Sequence, residues 1–112
     1  LNEKVGMNEV EQKVAGKFKS LLSGKVSVWK IILFGSRARG DADFDSDMDM
    51  LVVVSGNLDR AAREIISVCA WEAGFEYGIV VVPVIYTRDE WENGPERRSL
   101  LSIAVNMEGI PL

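Results

Sequence analysis

The sequence predicts an α+β domain in which helices pack on a small mixed β-sheet. Two long segments, 8–22 and 58–74, repeat apolar residues at helical spacing, and three others, 26–34, 48–54 and 79–86, are dense in β-branched and apolar residues. No internal repeat, low-complexity tract or linker interrupts them, so the 112 residues are expected to form one domain around a single core. The chain begins with Leu1, and residues 1–6, before Met7, are expected to stand outside that fold, as disorder or as the product of processing or an unusual start.

The elements follow in order. Val10, Val14, Phe18, Leu21 and Leu22 share one helical face, and Gly24 supplies the stop. Residues 26–34 (VSVWKIILF) read as a buried strand that runs straight into Gly35-Ser36. Residues 48–54 (MDMLVVV) are apolar nearly throughout, which requires cover on both faces and a central place in the sheet. After the turn Ser55-Gly56-Asn57, a second helix carries Leu58, Ala61, Ala62, Ile65, Val68 and Cys69 until Gly74 ends it. Residues 79–86 (IVVVPVIY) form a third strand, and Pro83, which cannot donate to a ladder, places it at an edge or a bulge. Residues 97–107 are expected to form a last helix with Leu100, Leu101, Ile103, Ala104 and Met107 apolar, ended by Gly109.

Composition excludes several chemistries. There is no histidine, so imidazole bases and Ser-His-Asp or Cys-His schemes are absent. The single cysteine, Cys69, can form no internal disulfide and no zinc site, and on an apolar helix face it reads as a small buried hydrophobe. A reducing, cytoplasmic setting follows as the simplest expectation, with no membrane span and no signal-peptide pattern. The net charge of −4 argues against general adhesion to nucleic acid. Its distribution is uneven, because seven lysines and arginines lie between Lys13 and Arg39 without an acid, and Asp41, Asp43, Asp45, Asp47 and Asp49 follow.

The junction between the first two strands carries the chemistry. Gly35 lets the backbone turn and a phosphate approach, and Ser36 adds a hydroxyl beside exposed amides, although Gly-Ser alone is more often an ordinary turn. Asp47 and Asp49, two apart at the mouth of a strand, leave the same face roughly 6.6–6.8 Å apart along the backbone. They can converge on one divalent ion, and Mg²⁺ or Mn²⁺ would offset the repulsion and lost hydration of two carboxylates held against an apolar strand. A solvated acidic turn accounts for Asp41, Asp43 and Asp45 but poorly for Asp49, which lies between Met48 and Met50. A calcium loop fits in no register: starting at Asp41, Asp43 or Asp45 puts Ser46, Met48 or Met50 where glycine is needed. Nor does Lys-Ser/Thr follow Gly40, as a P-loop requires.

Strand, Gly35-Ser36, Arg39-Gly40 and then Ser46-Asp47-x-Asp49 opening a second strand resemble the signature of the minimal nucleotidyltransferases of the DNA polymerase beta superfamily. The resemblance implies a nucleotidyltransferase fold. It implies that Gly35, Ser36 and Arg39 bind the triphosphate, with Arg37 a weaker candidate, and that Asp47 and Asp49 are the catalytic metal ligands. The implied reaction transfers a nucleoside monophosphate, AMP in particular, from a metal-bound NTP, ATP in particular, to an acceptor hydroxyl. Short members of this kind resemble the antitoxin half of a toxin–antitoxin pair with a helical HEPN protein, whose tyrosine would be the acceptor. No segment for gripping nucleic acid is evident.

One departure from the pattern stands out. The family's fully active members carry a third carboxylate on a later strand, and residues 79–86 hold no acid. Glu72 and Glu76 are the nearby substitutes, each of which also reads as a solvated surface residue. The alternative to an enzyme is therefore a module that binds nucleotide or partner without turnover.

Overall fold

In the computed structural model, which describes residues 7–95 and 99–112, the first helix α1 (Glu9–Leu22) starts where Asn8 caps it. The Glu11 amide donates to the Asn8 side chain and the Asn8 amide donates to the Glu11 carboxylate, both at 2.8 Å. Two of the amides that a helix start leaves without partners are thereby satisfied. Val14, Ala15, Phe18 and Leu22 are buried, while Val10 lies outside the core at 41% exposure.

The chain continues through β1 (Val28–Phe34), a single helical turn α2 (Ser36–Arg39), β2 (Met48–Val54) and α3 (Arg60–Phe75). It then forms β3 (Val81–Thr87), α4 (Arg88–Asn93), α5 (Leu100–Glu108) and the two-residue β4 (Ile110–Pro111). The sheet order is β3-β2-β1-β4, with β1 antiparallel to both β2 and β4 and β2 parallel to β3. The mixed sheet and the central place of β2 agree with the sequence expectation. Pro83 agrees as well, since β3 is an edge of this sheet and its proline costs no ladder on the open side.

Alternation along β2 separates two layers. Met48, Met50, Val52 and Val54 enter a core with Phe18 and Leu22 of α1 and Ile66, Cys69, Ala70 and Ala73 of α3. Leu51 and Val53 face the other way, into a smaller cluster with Val105 and Leu101 of α5, Ile32 and Phe34 of β1, and Trp91 of α4. Cys69 is buried as expected, and burial leads in raising its thiol pKa, which leaves it little thiolate.

Two elements were not anticipated. Helix α4 begins at a capping box between Thr87 and Glu90, and it is held by Arg88 over the Trp29 ring at 4.1 Å and by Trp91 against Tyr86 at 5.6 Å. Strand β4 extends β1 at Ile32 and Leu33. The last helix starts at its cap Ser99; Arg97 and Arg98, expected to open it, lie outside the described residues, as do residues 1–6. Its buried side is also different: Ser102 and Val105 are buried, whereas Leu100, Ile103 and Met107 are 86%, 49% and 83% exposed. Apolar residues lie all round this helix, so its spacing could not say which side faces the sheet.

One ion pair ties α1 to the loop ahead of β2. Arg37, buried despite its charge, donates to Glu11 at 2.8 Å through Nη1, to the Phe44 carbonyl at 3.0 Å through Nη2, and to the Ser46 carbonyl through Nε and Nη2 at 2.9 and 2.7 Å. The two carbonyls belong to the loop just before Asp47, so the guanidinium holds that loop against α1. Removing one partner of a pair this buried leaves an uncompensated charge, at a cost of about 3–5 kcal/mol. Glu11→Ala is therefore expected to lower the urea midpoint sharply. Lys17→Ala, which breaks the exposed pair with Glu76, is expected to change stability by about 0–1 kcal/mol.

Candidate functional site

The site lies where β1 ends and β2 begins. Antiparallel pairing sets Phe34 opposite Asp49, so Gly35 at the end of one strand meets the acids at the mouth of the other. Gly35 has φ 79°, a left-handed backbone that side chains rarely adopt, and a Cβ there would strike the Asp49 carboxylate. The left-handed backbone by itself calls for glycine, and any side chain there would also displace the Asp49 carboxylate from its present position. Gly40, at φ 82°, ends the α2 turn in the left-handed region.

Asp49 is half-buried and Asp47 exposed, with Asp49 on the sheet face opposite to the flanking buried Met48 and Met50. Burial above all, and then the charge of Asp47, push the Asp49 carboxyl above its ordinary value of 3.8, while Arg39 pulls it partly back. Two carboxylates short of positive charge suit a hard divalent cation, which prefers oxygen ligands. Among the described residues no group of three or more acids, histidines or cysteines converges as a metal cage. A divalent ion here would therefore be shared between the two aspartates, water and the oxygens of a bound phosphate ligand, the usual habit of Mg²⁺.

Of the remaining residues named from sequence, Ser36 opens the α2 turn, half-buried beside Gly35. Arg39 is exposed and bonded to Asp41 at 3.2 Å and to Glu108 at 3.0 Å. Arg37 is the correction: its guanidinium points inward to Glu11 and the Phe44–Ser46 backbone, so it supports the loop and does not present itself to a phosphate. Glu72 and Glu76 belong to the α3 side, behind the sheet from Asp49, and Glu76 is paired with Lys17 of α1. On β3, Val82 is the residue beside Asp49, so the position nearest the acids is apolar.

Sequence reading missed Glu108. At the end of α5 its carboxylate Oε2 accepts the Gly35 amide at 2.8 Å and the Arg39 guanidinium at 3.0 Å. Its spacing of three from Val105 and seven from Leu101 groups the three on one helix face, but no signal in the sequence said that this face turns to the sheet.

For the metal-free protein the raised Asp49 pKa has a definite sign. The native state holds more protons than the unfolded one between 3.8 and the raised value, so stability falls as pH rises through that window. Asp49→Asn is expected to raise the urea midpoint in EDTA at neutral pH, and the gain should vanish below the ordinary aspartate range. A neutral or harmful Asn at neutral pH would contradict the assigned strain.

Comparison with known proteins places the chain in a family and supports its fold. The family model of the nucleotidyltransferase domain matches residues 11–105. A protein of Methanocaldococcus jannaschii named as a protein adenylyltransferase is 37% identical over 71 residues, covering 57% of this chain and 72% of that protein. Among solved structures, a toxin–antitoxin complex with AMP-PNP superposes with TM-score 0.58 at 23% identity, covering 86% of this chain and 69% of the other. The complex of tri-AMPylated Shewanella oneidensis HEPN toxin with MNT antitoxin gives TM-score 0.52 at 19% identity, covering 91% and 70%. At these identities the two structures speak to the fold, which they share. Nucleotidyltransferases generally use a divalent metal, for which Asp47 and Asp49 have the right chemistry. With a family match over most of its length and the Gly-Ser turn set against paired aspartates, this chain belongs to the nucleotidyltransferase domain family.

Proposed function

We propose that this domain binds an NTP, ATP in the first place, with Mg²⁺ or Mn²⁺, and transfers its AMP to an acceptor hydroxyl, a tyrosine of a helical HEPN-type partner. The tyrosine oxygen loses its proton and bonds to the α-phosphorus as pyrophosphate leaves. What supports the reading is the close approach of Gly35, a turn of the kind that admits phosphate, to the Asp49 carboxylate. The adenylyl and HEPN readings are supported by the names that similar proteins carry: one is named as a protein adenylyltransferase, and another is a complex of a tri-AMPylated HEPN toxin with an MNT antitoxin.

In this reading Asp47 and Asp49 hold the metal, and Gly35, Ser36 and Arg39 receive the phosphates. The metal, when bound, neutralises charge on the phosphate and on the attacking and leaving oxygens. Because Val82 stands beside Asp49, the chain brings no third acid on β3 to hold or deprotonate the acceptor. Asp47 and Asp49 suffice for nucleotide binding, and loss of the third group falls on the transfer step. The isolated domain should then bind far better than it turns over. A binding module without turnover is the second reading, and the same apolar Val82 favours it.

Mg²⁺ with ATP is expected to raise the melting temperature by mass action, and Asp47→Asn or Asp49→Asn should abolish the shift. A shift untouched by either substitution would remove the metal assignment. Ser36→Leu should weaken ATP binding while leaving the circular dichroism spectrum unchanged. Intact-mass measurement of a co-expressed helical partner separates the two readings: an added AMP supports transfer, and a stable complex without it supports the binding module.

A further inference from the structure

The side chain that fills the anion position at Gly35 is the protein's own. Glu108 Oε2 takes the Gly35 amide and the Arg39 guanidinium at once, and these are two of the groups assigned to the phosphates above. One oxygen cannot share that place with another: an N–H has a single proton to donate, and two anions on one guanidinium edge repel. We propose that Glu108 is an internal competitor of the triphosphate, a carboxylate that occupies the phosphate position in the empty protein and must swing out before nucleotide binds. This rests on the phosphate site proposed above and adds its regulation.

The backbone around Glu108 limits what can move. Gly109 is packed so tightly that a Cβ on it would meet both the Val105 carbonyl and the Ile32 side chain, and β4 follows at once, paired to β1. The end of α5 is therefore pinned to the sheet. Release is a rotation of the Glu108 side chain, which is one-fifth exposed and has solvent to turn into. Arg39, with Asp41 as its other partner, stays in place to accept the incoming phosphate.

Competition has a measurable size. A charge-assisted contact of this kind is comparable to a tenfold change in an equilibrium, so Glu108→Ala should bind inorganic triphosphate in EDTA about tenfold more tightly than the unaltered protein. Glu108→Gln should show a smaller gain, since its amide oxygen still accepts but carries no charge. Asp41→Asn is the control: it removes the same charge from the same arginine but not from the Gly35 amide. The measurements are calorimetric titration with triphosphate and the chemical shift of the Gly35 amide, with circular dichroism confirming the fold of each variant.

A gain for Glu108→Ala well beyond that of Asp41→Asn, with the Gly35 amide moving on triphosphate addition, supports the competitor. Equal gains in the two variants would reduce Glu108 to a general charge effect and overturn the proposal, while the phosphate site stood. Weaker binding in Glu108→Ala would also overturn it, by making Glu108 a helper of the ligand. A Gly35 amide that triphosphate moves in none of the proteins would instead remove the phosphate site, and the competitor with it.

Discussion

The register between β1 and β2 is the constraint on which the rest of this molecule depends, because it sets Phe34 opposite Asp49 and so brings Gly35 against the acid. A slip of one residue would turn Asp49 into the core of α1 and α3 and expose Met48 and Met50. That slip is prohibitive. Four apolar side chains of β2 are committed to one layer and two to the other, and each is worth roughly 1.5–3 kcal/mol when buried. The hydrophobic pattern that stabilises the sheet therefore also aims the carboxylates.

Around that register the site is kept under electrostatic tension. Asp49, partly desolvated, feels the charge of Asp47, and Arg39 compensates Asp49 in part while also serving Asp41 and Glu108. By contrast each nitrogen of the buried guanidinium, Arg37, has a partner in Glu11 or in one of two backbone carbonyls. The division has a physical reason. A charge in the interior must be fully paired to be tolerated, whereas a charge at the mouth of a strand can remain under-compensated and ready for a ligand.

The two arginines of the α2 turn also show why chemistry is hard to assign from spacing. They lie two apart on one helical turn, and nothing in their neighbours distinguishes them. The difference comes from Glu11, far away in sequence, which reaches Arg37 across the packing of α1 on the sheet. Similarly, β3 supplies Val82 at the acid pair, a fact that residue type made legible, while Glu108 arrives from the far end of the chain.

What the sequence by itself determined was whatever local pattern and chemistry decide: the two long helices, the central and edge strands, buried Cys69, the turn at Gly35 and the pairing of Asp47 with Asp49. Each rests on a period of 2 or 3.6, on a glycine, or on two neighbouring acids, and so can be read within a few residues. The tertiary structure alone decided which side of α5 is buried, since that helix is apolar all round, and where β4 pairs. It alone turned Arg37 inward and brought Glu108 to the Gly35 amide across 73 residues. Those contacts join side chains that sequence spacing does not relate, and only the closure of the sheet under its helices makes them neighbours.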